Sequence, residues 1–151
     1  MNIYKTILSI IALNCLFIAF PVKAIGFTPP PFKDADYLGQ YVSVSLKEPI
    51  ELKTGEIKEI TVKIKNIGKA AWENTGANFV SVYTVNPNYR QSVFVDSSWI
   101  SKSNPTKIKA KTSPGQTGEF TFKIKAPDKP GNYKEDFYLA AENKTWIKSS
   151  Y

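Results

Sequence analysis

Ile60-Thr61-Val62-Lys63-Ile64-Lys65-Asn66-Ile67-Gly68 decides how this chain folds. Large apolar side chains alternate with Thr61, Lys63 and Lys65, the period of two that a strand needs when one face is buried and the other wet. Asn66-Ile67-Gly68 then turns the chain. Phe120-Thr121-Phe122-Lys123-Ile124-Lys125-Ala126 repeats the pattern, entered by Pro114-Gly115 and stopped by Pro127 and Pro130-Gly131. Burying six such side chains contributes on the order of 9–18 kcal/mol before chain entropy opposes it.

Further strands lie outward from these two. Tyr41-Val42-Ser43-Val44-Ser45 alternates, and Thr54-Gly55 marks a turn before Ile57. Ala70-Ala71-Trp72 reads as the start of a strand, and Phe79 to Val85 as another with Val80, Val82 and Thr84 on one face. Ile108 to Lys111 is brief. Tyr133, Glu135, Phe137, Leu139 and Ala141 share one parity, with Glu135 placed near the strand start, where that parity reaches solvent. Trp146 and Ile147 mark a last strand. No stretch holds a helical period. The expectation is an all-β fold, an immunoglobulin-like (Ig-like) antiparallel β-sandwich of about 7–8 strands, with Val62, Trp72, Phe120, Phe122 and Phe137 in its core.

The N-terminus has another logic. Lys5 precedes an uncharged apolar run from Ile7 to Phe20, followed by Pro21 and Val22-Lys23-Ala24, the layout of a secretory signal peptide cleaved after Ala24. The run is shorter than the roughly 20 residues that span a bilayer, so an uncleaved anchor is the weaker reading. Residues 1–24 are thus read as signal peptide, 25–40 as a linker stiffened by Pro29-Pro30-Pro31, and 41–151 as the sandwich domain. The chain has 151 residues, with Lys+Arg 20, Asp+Glu 13 and no His. Both Cys15 and Met1 fall in the leader, so the expected mature part has no His, Cys or Met. That composition excludes histidine triads, cysteine nucleophiles, disulfides and thiolate or imidazole metal sites.

Asn66-Ile67-Gly68, Trp72, Pro114-Gly115, Phe120-Thr121-Phe122 and Ala126-Pro127 through Pro130-Gly131, Tyr133, Phe137 and Leu139 together resemble the four-tryptophan (FW) domain. This Ig-like module is known from next-to-BRCA type autophagy receptors and from exported bacterial proteins. The resemblance runs from about Leu46 to Trp146. Of the tryptophans that name the family only Trp72 is retained. Val62 and Phe137 stand at two of the other positions and Tyr83 at the third. Family members are largely binding or spacer modules, and bacterial relatives are often joined to cell-wall enzymes. The resemblance therefore implies a non-catalytic role and transfers no binding residue.

Two groups of side chains stand out as candidate sites. Tyr83, Tyr89, Arg90, Phe94 and Trp99 gather aromatic rings and the only arginine beside a long polar connection, which is how recognition surfaces are built; the plainer alternative is that the rings cap an end of the sandwich. Lys63, Lys65, Lys123 and Lys125 share the outward parity of the two strongest strands and offer a basic face for anionic polymers, or ordinary solubility and edge protection. No catalytic, cofactor or metal residue is expected: Glu135 and Asp136 are adjacent, so a strand turns them to opposite faces, and no calcium or phosphate loop is present. The reading is an exported, non-catalytic binding or spacer module at the cell surface or in the envelope. It takes an unknown protein or a cell-wall polymer as partner, does not bind nucleic acid, and meets a membrane only through an uncleaved leader. The alternatives are an accessory domain of a peptidoglycan-processing enzyme and a basic surface protein that binds anionic polymers.

Overall fold

The computed structural model describes the backbone of residues 8–12, 149 and 150 and, with side chains, residues 33–47 and 49–148. Most of the expected leader and the three consecutive prolines lie outside the described residues. Nine strands occur among those described: β1 (Leu8–Ala12), β2 (Leu38–Val44), β3 (Ile50–Leu52), β4 (Ile57–Asn66), β5 (Val80–Thr84), β6 (Thr117–Lys125), β7 (Gly131–Glu135), β8 (Phe137–Ala141) and β9 (Thr145–Ser150). The fold is all-β and Ig-like.

The alternation in β4 and β6 sets the two faces. Ile60, Phe120 and Ile124 are completely buried, and Lys63, Lys65, Lys123 and Lys125 are exposed. β4 lies antiparallel to β6, with Ile60 opposite Phe122 and Val62 opposite Phe120. One hydrogen-bonded series runs β5-β8-β9-β2-β4-β6, and its middle is the parallel pairing of β2 with β9. The series folds over on itself there. Ile64 and Phe120 of β4 and β6 share a buried cluster with Val80, Val82, Leu139, Ala141 and Ile147 of β5, β8 and β9, strands to which they are not hydrogen-bonded. Two layers therefore face each other across a common core. A second cluster holds Ile50, Leu52, Ile60, Phe94, Trp99, Phe122 and Ile124, and Val62 and Phe137 pack against both.

Between the layers the chain turns at Asn66-Ile67-Gly68. The fully buried Asn66 donates from Nδ2 to the carbonyls of Ala70 and Thr112 at 2.9 and 3.1 Å, and its Oδ1 accepts from the Gly68 N–H at 3.0 Å. A Cβ on Gly68 would stand 2.1 Å from the Asp36 carbonyl oxygen, so only glycine allows this approach.

Four local expectations need correction. Ile108 to Lys111 forms no strand, because the segment crosses between layers: the Ile108 N–H donates to the Val80 carbonyl and the Lys109 N–H to the Glu119 carbonyl. The alternation of 41–45 breaks at a register shift between Tyr41 and Ser43, and the bulge leaves Val42 half exposed. Ala70-Ala71-Trp72 starts no strand: Trp72 and Thr112 form one isolated bridge, because the indole is drawn whole into the core and the backbone follows it. Glu135 does not reach solvent but is fully buried, since the loop after β5 closes over the end of β7.

Candidate binding surface

β5, β8 and β9 turn a second, outer face away from the core, and aromatic residues occupy it. Register places Tyr83 opposite Tyr138 and Ala140 opposite Trp146, so the three rings rise from adjacent strands on the same side. Together with Val85 they form a small apolar cluster distinct from the two core clusters. Tyr89 closes over it from the following loop. Its ring meets Tyr83 edge-on at 5.0 Å and lies tilted on Trp146 at 5.4 Å, while its own surface stays 57% exposed.

The backbone that holds Tyr89 is unusual. Tyr89 has φ 63 and Asn86 has φ 67, both in the left-handed region that side chains rarely adopt. The Tyr89 N–H donates to the Thr84 carbonyl at 2.9 Å, and the Thr84 hydroxyl donates to the Arg90 carbonyl at 2.5 Å. Strained positions of this kind persist where surrounding contacts over-determine them, and they gather at sites of function. Beneath the patch, Tyr83 donates its hydroxyl to Glu142 at 2.7 Å. Burial first, and then this bond to a carboxylate, pushes the phenol up to about 12.

Arg90 does not face outward. Its guanidinium turns inward to Glu135 Oε1, and Nε donates to the Asn86 carbonyl at 3.0 Å. Ser92 donates to Glu135 Oε2 at 2.6 Å. Burial pushes the Glu135 carboxyl above its usual range, and the Ser92 hydroxyl and the Arg90 charge pull it down without cancelling that effect. The pair fastens the loop to β7.

Phe94 and Trp99, grouped by sequence with the tyrosines, are instead 0% and 8% exposed and lie in the core. The Phe94 carbonyl accepts from the Lys125 N–H at 3.0 Å and the Trp99 indole donates to the Lys123 carbonyl, so this stretch of loop docks along the edge of β6. It covers an edge that lysines alone would leave open. Of the five grouped residues, Tyr83 and Tyr89 touch. Trp146 and Tyr138 complete the patch, and the signal for them was present: Leu139 and Ile147 face the core, so their strand neighbours must face out.

The four lysines are not one patch. Antiparallel register sets Lys63 opposite Glu119 and Lys123 opposite Glu59, leaving the β4 and β6 pairs at opposite ends of the strands. Lys63 reaches Glu119 at 3.1 Å and Lys109 reaches it at 3.7 Å. Hydrogen bonding and charge from Lys63, followed by Lys109, hold the Glu119 carboxyl below its usual range. A shallow groove of about 480 Å³ on this face mixes Glu59 and Glu119 with Lys107, Lys109 and threonines. Interleaved charge of this kind is ordinary solvated surface.

Comparison with known proteins gives one family. Residues 45–147 match the Ig-like domain from next to BRCA1 gene. No curated protein matches the chain.

Proposed function

Since the chain belongs to the family of the Ig-like domain from next to BRCA1 gene, we propose that it is a non-catalytic binding module that engages its partner through the Tyr83–Tyr89–Tyr138–Trp146 face. In this reading it is an FW-type domain of an exported bacterial protein. Lys5 and the apolar run from Ile7 direct it out of the cytosol, and it works at the cell surface or in the envelope. The partner is a protein or a wall polymer that presents an apolar or ring-shaped group to the tyrosines.

The carrying observation is Tyr89. A large ring kept mostly in solvent, on left-handed backbone and backed by two further aromatic rings, is poorly explained by stability alone. A fixed aromatic plane on a packed support is what a binding surface uses. The interleaved charges of the β4–β6 face speak against anionic polymers held there.

Cosedimentation with purified cell wall and with an envelope protein extract tests the reading. Binding that persists at high salt and disappears in Tyr89→Ala is the expected result. Binding that Tyr89→Ala leaves intact but high salt removes would transfer the site to the lysines. No binding to either preparation would leave a spacer.

A further inference from the structure

β9 lies parallel to β2 and antiparallel to β8. β1 stands in the same relation to the segments next along: parallel to β3 and antiparallel to β7. β3 follows β2 in the chain, and β7 runs into β8 across Asp136 alone. Leu8–Ala12 therefore continues the lane that β9 occupies, in the same direction, although the two segments come from opposite parts of the sequence.

That lane has the dimensions of one strand. With each pairing about 4.7–4.9 Å wide, β3 and β7 flank a slot roughly 10 Å across. Its register is complete over five positions against β7, from Leu8 opposite Glu135 to Ala12 opposite Gly131, and over three against β3, from Ile10 opposite Ile50 to Ala12 opposite Leu52. The lane also borders the core. Ile50 and Leu52 are each 3% exposed in a buried cluster against which Tyr133 of β7 packs. An occupant therefore satisfies two rows of peptide groups and lies against the oily centre of the molecule.

The occupant is the one strand drawn from the apolar run that reads as a cleaved leader. We propose that the lane between β3 and β7 is a strand-accepting site. It takes one extended, apolar segment of a partner polypeptide, parallel to β3 and antiparallel to β7, and Leu8–Ala12 fills it in cis until that segment is removed or displaced. The site rests on the strand pairing and is independent of the tyrosine face, so either proposal can fail alone.

A register-specific cross-link tests it in the full chain, with Cys15→Ser throughout and Lys134→Cys marking the position opposite Ser9. The probe is a synthetic peptide of residues 6–14 with the Ser9→Cys and no other cysteine, and Ile10→Pro opens the lane by removing an N–H within β1. Disulfide capture of the peptide is expected to be faster in Ile10→Pro than with Ile10 retained by about tenfold or more, because the tethered strand competes at high local concentration. A Lys144→Cys control, remote from the lane, and a shuffled peptide should both stay slow. Equal capture at Lys134→Cys and Lys144→Cys, with tryptophan fluorescence still native, overturns the proposal. A second chain carrying Ser9→Cys, Lys134→Cys and Cys15→Ser with Ile10 retained gives an answer even if Ile10→Pro unfolds. Rapid internal cross-linking supports the lane, and failure to close sinks it.

Discussion

Arg90 is the one guanidinium beside nineteen lysines, and its Nη2 meets a carboxylate that has no exposure to water, while Nε and Nη1 donate to the carbonyls of Asn86 and Gln91. Removing it leaves that carboxylate buried without its charge partner, so Arg90→Ala is expected to cost about 3–5 kcal/mol at neutral pH. The pH dependence follows from the direction of the shift. Burial raises the folded Glu135 carboxyl above its unfolded value, so its contribution is fully present below the ordinary carboxylate range and is lost as pH rises through the raised value. Without Arg90 the value rises further, and the defect of Arg90→Ala should shrink when urea melts are repeated in acid. In Glu135→Gln, which cannot ionise, this part of the pH slope should be absent. Tyr83 makes a parallel case at the alkaline end. Its phenol is raised to about 12, so stability falls as pH climbs from the unfolded tyrosine value through that point. A titration followed by tyrosinate absorbance should lose a step at about 12 in Tyr83→Phe. In Glu142→Gln the step should move only part of the way down, since burial is the larger cause and the carboxylate the smaller.

At the scale of the element, β4 and β6 were legible because one residue type per face is enough: Ile60, Phe120 and Ile124 vanish from solvent and the lysines between them do not. The alternation says nothing about which charged residues become neighbours, and antiparallel register is what separated the lysine pairs. Phe94 and Trp99 could be grouped with the tyrosines or read as rings packed on the sandwich, and their burial fits the second reading. A long polar connection looks like free loop until a sheet edge is known to need covering, and nothing in the local sequence marks that edge. The turn after β4 is legible in Asn66-Ile67-Gly68, and its tolerance is small. Gly68→Ala must push against the Asp36 carbonyl, which is backbone and cannot swing aside. Asn66→Ala instead orphans buried peptide groups and is expected to cost about 1–3 kcal/mol by chemical denaturation. Gly68→Ala should equal or exceed that loss. A neutral result would mean that the 33–38 segment moves freely away from the turn.

Across the whole molecule, each buried cluster holds one tryptophan: Trp99 the cluster under β3, Trp72 the one between the layers and Trp146 the outer face. Val62 and Phe137 join the first two, and Phe137 stacks edge-on with Phe122 at 5.5 Å and Trp99 at 6.2 Å. Trp72 is fully buried and its indole N–H finds no acceptor among the described residues. Trp72→Ala is therefore expected to cost about 3–5 kcal/mol, and Trp72→Phe clearly less, since it removes an unpaired donor along with part of the ring. Sequence could assign Phe137 and Val62 to the core but not show that they border both clusters, because alternation tells which face a side chain takes and not which residues meet it there. If they are the link, single-tryptophan chains reporting from positions 99 and 72 should melt together with Val62 and Phe137 present. In Val62→Ala/Phe137→Ala the two curves should separate, the cluster that holds Trp99 giving way first because it contains the short strand β3. Coincident curves in the double variant would mean that the backbone ladder of β4 and β6, running unbroken past both clusters, carries the cooperativity by itself.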